Sequence, residues 1–183
     1  LERLPELLKP GGIRLEYTMQ IRKVMADDSG RCESLGNLLF GEQVGRKVGM
    51  AVADIGVGIG ELGAQRTHAV HATYWVAENP SEPDLLGIVG LYSPRWIGSQ
   101  NLYLGWFGVH PDHRRHGLGQ ALIKHAEAEA INLGCRSILV ETSFEPASTI
   151  SFYHRAGFNA VASVPDYWEE GSELILMRKF LVI

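Results

Sequence analysis

The sequence predicts an α/β domain, a mixed and predominantly antiparallel sheet with helices on both faces. Three observations predict it. Strand-like and helix-like apolar patterns recur in the order β, α, several antiparallel strands, then β-α-β-α-β-β. The run from Leu102 to Val109 is nearly continuous in apolar residues, as suits a central strand covered on both faces. A chain of 183 residues, 45% hydrophobic and 21% charged, is long enough for one well-buried core and short for two. Residues 19–183 are therefore expected to form a single domain, with residues 1–18 as an extension ahead of it.

Each element has its own signal. Tyr17 to Val24 alternates like a first strand, and Asp27-Asp28-Ser29 supplies caps for a helix running to about Phe40. Residues 41–65 are rich in glycine amid small apolar residues, which predicts irregular or mobile backbone over a ligand site, or else a weakly specified hairpin. His68 to Glu78 and Leu85 to Tyr92 read as two strands joined by the turn Asn79-Pro-Ser-Glu-Pro-Asp84. After Leu102–Val109 and the turn at His110-Pro111, Leu118, Ala121, Leu122, Ala126 and Leu133 form one helical stripe that Gly134 closes as a left-handed cap. Ser137–Thr142 is a short strand, Pro146–Arg155 a short helix ending before Gly157, and Phe158–Val164 and Leu174–Phe180 are the last two strands.

Bulk properties narrow the function classes. The formal net charge of −4 gives no broad basic footprint, so no nucleic-acid partner is expected and the local pair Arg114–Arg115 needs a local purpose. Cys32 and Cys135 are far apart and lack metal-ligand spacing, which predicts no disulfide, no metal site and a reducing cytoplasm. No apolar run reaches the length of about 18 residues that a bilayer span needs, and the charged start is unlike a secretory signal, so no membrane partner is expected.

Two glycine patterns compete for a phosphate ligand. Gly58-Ile-Gly-Glu-Leu-Gly63 matches the dinucleotide fingerprint and has Glu78 some way on for a ribose. Its context is wrong, because Ala64–Val70 makes a poor helix before the next strand. Arg114-x-x-Gly117-x-Gly119 stands between a strong strand and a strong helix. The first N–H groups of that helix lack partners, the two glycines remove side chains that would keep an anion away, and Arg114 and Arg115 add charge at the same end.

With its preceding residues this segment, Val109-His-Pro-x-His-Arg-Arg-x-Gly-Leu-Gly119, resembles motif A of the GNAT superfamily of acyl-CoA-dependent N-acyltransferases. Ser151-Phe-Tyr-His-Arg-Ala-Gly-Phe158 resembles the family's motif B, and the two motifs keep the family's order and separation. The resemblance covers roughly residues 19–181 and implies the acyl-CoA N-acyltransferase fold, with acetyl-CoA as donor, no metal, a small-molecule or peptide amine as acceptor, and room for a homodimer. It also implies parts. Phe107, Gly108 and Val109 would offer backbone hydrogen bonds to the pantetheine arm. Arg114, Arg115, His116, Gly117, Leu118, Gly119 and Gln120 would hold the pyrophosphate through backbone N–H groups. Tyr153 would contact the thioester sulfur. Many members have an asparagine seven residues before that tyrosine; Pro146 stands there in this chain, and Ser148 or Thr149 is the substitute.

Acyl transfer to an amine needs a proton acceptor for the amine and a proton or hydrogen bond for the departing thiolate. Tyr153 is the candidate acid. The central strand carries no carboxylate, so Glu141 at the end of the next strand is the first candidate base. Acceptor recognition falls to Trp96 and to Asp166-Tyr-Trp-Glu-Glu170, where Tyr167 and Trp168 between acids suit a cationic amine. The rival reading is a non-catalytic acyl-CoA-binding or sensing domain, which would keep the phosphate turn and lack a working base.

Overall fold

The computed structural model describes residues 2–3, 19–55, 69–143 and 147–182. Strands β1 (Glu2–Arg3) and β2 (Gln20–Lys23) lead into a 3-10 turn at Ala26–Asp28, then helices α1 (Ser29–Phe40) and α2 (Glu42–Ile55). Strands β3 (Ala69–Glu78), β4 (Leu85–Pro94) and β5 (Asn101–Val109) follow, then α3 (Leu118–Asn132), β6 (Ser137–Ser143), α4 (Ala147–Arg155), β7 (Asn159–Val164) and β8 (Leu174–Phe180). The strands form one eight-stranded sheet in the order β1-β2-β3-β4-β5-β6-β8-β7. Every pairing is antiparallel except β5 with β6.

The predicted helices on both faces are present, and side-chain alternation along β3 shows how two cores arise. Trp75 and Ala77 join Leu86, Leu91, Leu122, Ile123, Ile138, Phe158 and Met177 on the face covered by α3 and α4. Tyr74 and Val76 point the other way, to Cys32, Leu35, Val48, Val52 and Ile88 under α1 and α2. In α3 the expected stripe holds for Leu118, Leu122 and Ala126, while Leu133 is exposed because the helix ends one residue before it. Gly134 takes the left-handed cap at φ 75°.

Residues 41–65 depart most from expectation. The part up to Ile55 is a 14-residue helix, and its glycines are packing positions. A Cβ on Gly45 would collide with the backbone nitrogen of Asn37, one on Gly36 would stand 2.8 Å from the Cα of Gly45, and one on Gly49 2.8 Å from the Cβ of Glu33. Glycine here lets α2 lie backbone-close on α1, while Val44, Val48 and Val52 recur every four residues toward the sheet. Gly58–Gly63 lies outside the described residues.

Asp28 also has another role than the predicted helix cap. Its carboxylate accepts from Met25 N–H at 2.9 Å and from both Nη atoms of Arg22 at 2.6 and 2.8 Å. Arg22 turns its Nε and Nη2 to Glu78 at 2.7 and 2.9 Å, and Arg31 Nη1 reaches Glu78 at 3.0 Å and Asp28 at 3.3 Å. Both carboxylates are buried. The network ties the start of α1 to β2 and β3, and the Arg22 guanidinium draws the Glu78 carboxyl down to about 2. Glu78 is thus committed to two arginines, which removes the ribose partner that a dinucleotide site required.

The strand expected to be covered on both faces parts from its neighbour halfway. β5 pairs with β6 at Asn101–Ser137, Leu102–Ile138 and Tyr103–Leu139, and beyond that β5 pairs with β4 while β6 pairs with β8. Leu102 and Leu104 are buried, but residues 105–109 are half-buried because no strand among the described residues closes their β6 side. The register of β4 and β5 also slips: Ile88 faces Gly108 and Gly90 faces Gly105, so β5 carries one extra residue. Trp106 sits in this bulge at φ 37°. The bulge reverses the alternation, leaving Leu104, Phe107 and Val109 on the α3 face and sending Trp106 to the other, where it stacks on Tyr74 at 5.4 Å.

Candidate active site

The opening between β5 and β6 is built from both faces. On the α3 side, β5 leaves the sheet at His110, whose Nδ1 accepts from Asp112 N–H at 3.3 Å, and Arg114 Nε donates to the Val109 carbonyl at 3.0 Å. The Val109 carbonyl, on the strand expected to serve a pantetheine arm, thus accepts one hydrogen bond from the turn that follows it. Arg114, Arg115, His116 and Gly117 form the exposed turn, with Arg115 at φ 65° and Gly117 at φ 84°. A Cβ on Gly117 would meet nothing within 4 Å, so this glycine is required by its left-handed backbone and leaves open space before the helix. At Gly119 packing also asks for glycine: a Cβ there would press on the Phe152 ring at 3.2 Å. The Leu118 side chain is core, so Leu118, Gly119 and Gln120 offer a ligand their N–H groups, which have no carbonyl within α3 to bond.

Helix α4 brings Tyr153 to the same opening. Its ring is buried among Phe107 at 6.1 Å, Phe152 at 5.5 Å and Phe158 at 5.6 Å, and Phe107 stacks on Phe152 at 5.3 Å. Burial pushes the phenol above its ordinary value. Ser148 is exposed near the start of α4, and Pro146 lies outside the described residues.

Glu141 stands on the opposite face. Tyr103 pairs with Leu139, and two residues on from Leu139 the same side of β6 presents Glu141, on the α1–α2 face and past the last β5–β6 pair. It reaches solvent, yet desolvation by its neighbours pushes its carboxyl above the ordinary range. Tyr153 from one face and Glu141 from the other therefore flank one gap in the sheet.

Trp96, Tyr167 and Trp168 are exposed, the last two in edge contact at 5.2 Å. Asp166 closes its own turn by accepting Gly171 N–H at 2.7 Å. Two tyrosines not singled out in the sequence line the same face as Glu141. Tyr92 and Tyr103 are cross-strand partners with rings stacked at 5.4 Å and 25°. A signal was available for Tyr92 alone, in the glycine at its ring's seat: a Cβ on Gly105 would strike Tyr92 at 2.9 Å, as one on Gly90 would strike the neighbouring Tyr74. Among the described residues no group of three or more His, Cys, Asp or Glu could hold a metal ion, and no helix is long and apolar enough to cross a membrane.

Comparison with known proteins gives this geometry a family. The chain is similar to N-alpha-acetyltransferase 30 of Dictyostelium discoideum, at 29% identity over 85 residues covering 44% of this chain and 46% of the relative. It is similar to an aminoglycoside N(6')-acetyltransferase type 1 of Klebsiella aerogenes, at 40% identity over 60 residues covering 33% of this chain and 39% of the relative. The aligned part is thus less than half of either curated relative. A crystal structure of a GNAT-family protein from Desulfovibrio desulfuricans shares the fold, with a TM-score of 0.76 at 22% identity over 90% of this chain and 99% of that one. The sequence profile of the Acetyltransferase (GNAT) family matches residues 59–158, more than half of the sequence. On the glycine turn, the parted strands and this match together, the chain belongs to the GNAT acetyltransferase family.

Proposed function

We propose that this protein transfers an acetyl group from acetyl-CoA directly to a primary amine. The observation that carries the reading is the parting of β5 from β6, which leaves one gap with a phosphate-competent turn and Tyr153 on one face and Glu141 on the other. The residues fit the donor: the open turn at Gly117 suits a diphosphate, and the unpaired edge of β5 suits an extended arm with amide groups. When bound, acetyl-CoA supplies a thioester carbonyl that the amine nitrogen attacks, so that a C–N bond forms and the C–S bond breaks.

The chain's own groups handle the protons. Glu141 accepts one from the incoming amine, directly or through a water, and its raised carboxyl makes it a better base than an ordinary surface glutamate. A base matters most for a lysine-type amine, neutral in about one molecule in two thousand at pH 7, and least for an α-amino group, neutral more than about a tenth of the time. Tyr153 faces the departing sulfur. Proton transfer from an ordinary phenol to a thiolate runs uphill by about 2 kcal/mol, and burial of Tyr153 makes it steeper, so its main part is a hydrogen bond to the developing thiolate. The two buried, free cysteines Cys32 and Cys135 suit a reducing compartment such as the cytoplasm.

A sensor that only binds acyl-CoA is less well supported, since it has no use for a carboxylate of raised basicity across the gap from Tyr153. Incubation with acetyl-CoA and a panel of amines, following free thiol, tests the proposal. Amine-dependent thiol release is expected; tight CoA binding without release for any amine would refute transfer.

A further inference from the structure

We propose that the acceptor is a primary amine on a cationic, carboxylate-free body, seated on a tyrosine floor formed by Tyr92 and Tyr103, walled by Tyr167 and facing Glu141. The inference rests on the acetyl-transfer reading and names the substrate class for the same gap.

The floor is a feature of the backbone as much as of the side chains. Gly90 and Gly105 are cut away so that the rings of Tyr74 and Tyr92 lie against the sheet; a Cβ at either glycine would enter the ring. Trp106, turned over by its bulge, stacks on Tyr74, and Tyr103 stacks on Tyr92. The α1–α2 face beside the opening is therefore lined by aromatic rings, a residue type whose faces attract cations. Tyr92 and Tyr103 are half-buried and so remain reachable.

Charge on this face points the same way. Glu141 follows Leu139, the partner of Tyr103, by two residues on the same side of β6, and the turn carrying Tyr167 joins β7 to β8 at the end where Leu174 pairs with Ser143, two residues past Glu141; the electrostatic effect of Glu141 and Tyr167 on both phenols agrees with this placement. Burial and the Glu141 carboxylate together keep both phenols protonated, so their π-faces stay neutral and available. Glu169 and Glu170 are exposed on the same turn as Tyr167. On β8 the cation facing this side is Arg178, and it is held at the closed end: Nε donates to Ser137 Oγ at 3.0 Å, Nη2 to Asn101 Oδ1 at 3.1 Å, and the guanidinium lies 4.2 Å from the Phe180 ring centroid. Ser137 is four residues from Glu141 along β6, about 13 Å at the strand rise. A second ammonium on the acceptor thus meets rings and acids, while a carboxylate near the reactive amine meets Glu141.

Three amines of matched length test this. Putrescine carries a second ammonium, butylamine carries none, and γ-aminobutyrate carries a carboxylate; an alanine-initiated tripeptide serves as the fourth acceptor. The expected order of kcat/KM is putrescine, butylamine, γ-aminobutyrate, with putrescine ahead of butylamine by about two- to five-fold per ring engaged. Tyr167→Leu, at an exposed position, and Tyr103→Leu should each raise KM for putrescine by about two- to five-fold and shrink its lead over butylamine, with KM for acetyl-CoA unmoved. Tyr103→Phe, which keeps the ring, should restore the lead. Equal or better turnover of butylamine or γ-aminobutyrate, acetylation of the tripeptide alone, or an undiminished putrescine preference in both leucine variants would overturn the inference and leave acetyl transfer standing. Failure of all four acceptors to release thiol would overturn both.

Discussion

Replacing Gly117 separates the backbone demand of the turn from its electrostatic one. Gly117 holds φ 84° at the start of α3, with nothing within 4 Å of where a Cβ would stand. A side chain there meets no clash and costs only the left-handed backbone, about 1–2 kcal/mol, which asparagine tolerates better than most residues. Gly117→Asn and Gly117→Asp therefore share shape and strain and differ in charge. If a diphosphate lies about 6 Å away, the extra charge of aspartate costs about 0.7 kcal/mol in a water-like medium and about 3 kcal/mol at an effective dielectric of 20. That is about a three- to hundred-fold weaker Kd for Asp than for Asn. Calorimetric titration with CoA at low and high salt reads the difference, which should narrow as salt screens it. Equal CoA affinity of the two variants at low salt would refute the placement of the diphosphate at this turn.

Further perturbations address the other parts of the site and the scaffold. Tyr153→Phe should lower kcat by about ten- to hundred-fold with little change in KM, the loss of one hydrogen bond to a charged group, as steady-state kinetics would show. Glu141→Gln should lower kcat/KM for a lysine-type amine more than for an α-amine. Wild-type activity should rise with pH through a carboxyl titration above the usual carboxylate range, and this limb should be absent from the variant's pH profile. Glu78→Ala should destabilise the fold by about 3–5 kcal/mol in urea melts, because Arg22 and Arg31 are left without one of their two carboxylates. In the wild type the Glu78 carboxyl lies near 2 when folded and near 4.5 when unfolded, so its stabilisation, about 3 kcal/mol, is complete above the unfolded value and lost as pH falls from about 5 toward 2.

The parts legible in the sequence were those encoded locally. The Arg114–Gly119 turn and helix α3 follow from a strand, a glycine start and an apolar stripe within a few turns of chain. The family's two motifs then imply acetyl-CoA as the donor. What was illegible depends on partners distant in sequence. Gly45 and Gly49 read as helix breakers because the demand for their missing side chains comes from Asn37 and Glu33 on another helix. The bulge at Trp106 exists in the register with β4, and nothing within β5 announces it. Tyr92 and Tyr103 became a pair when that register set them side by side, and Asp166 proved to close its own turn.

Direct transfer across the β5–β6 gap is most sharply tested in a single turnover. With protein in excess over acetyl-CoA and no amine present, no rapid thiol release and no acetylated protein should appear by intact mass. Adding amine should then release one thiol for each acetyl group found on the amine. A burst of thiol before amine is added, with acetyl on the protein, would contradict the account by showing a covalent enzyme intermediate.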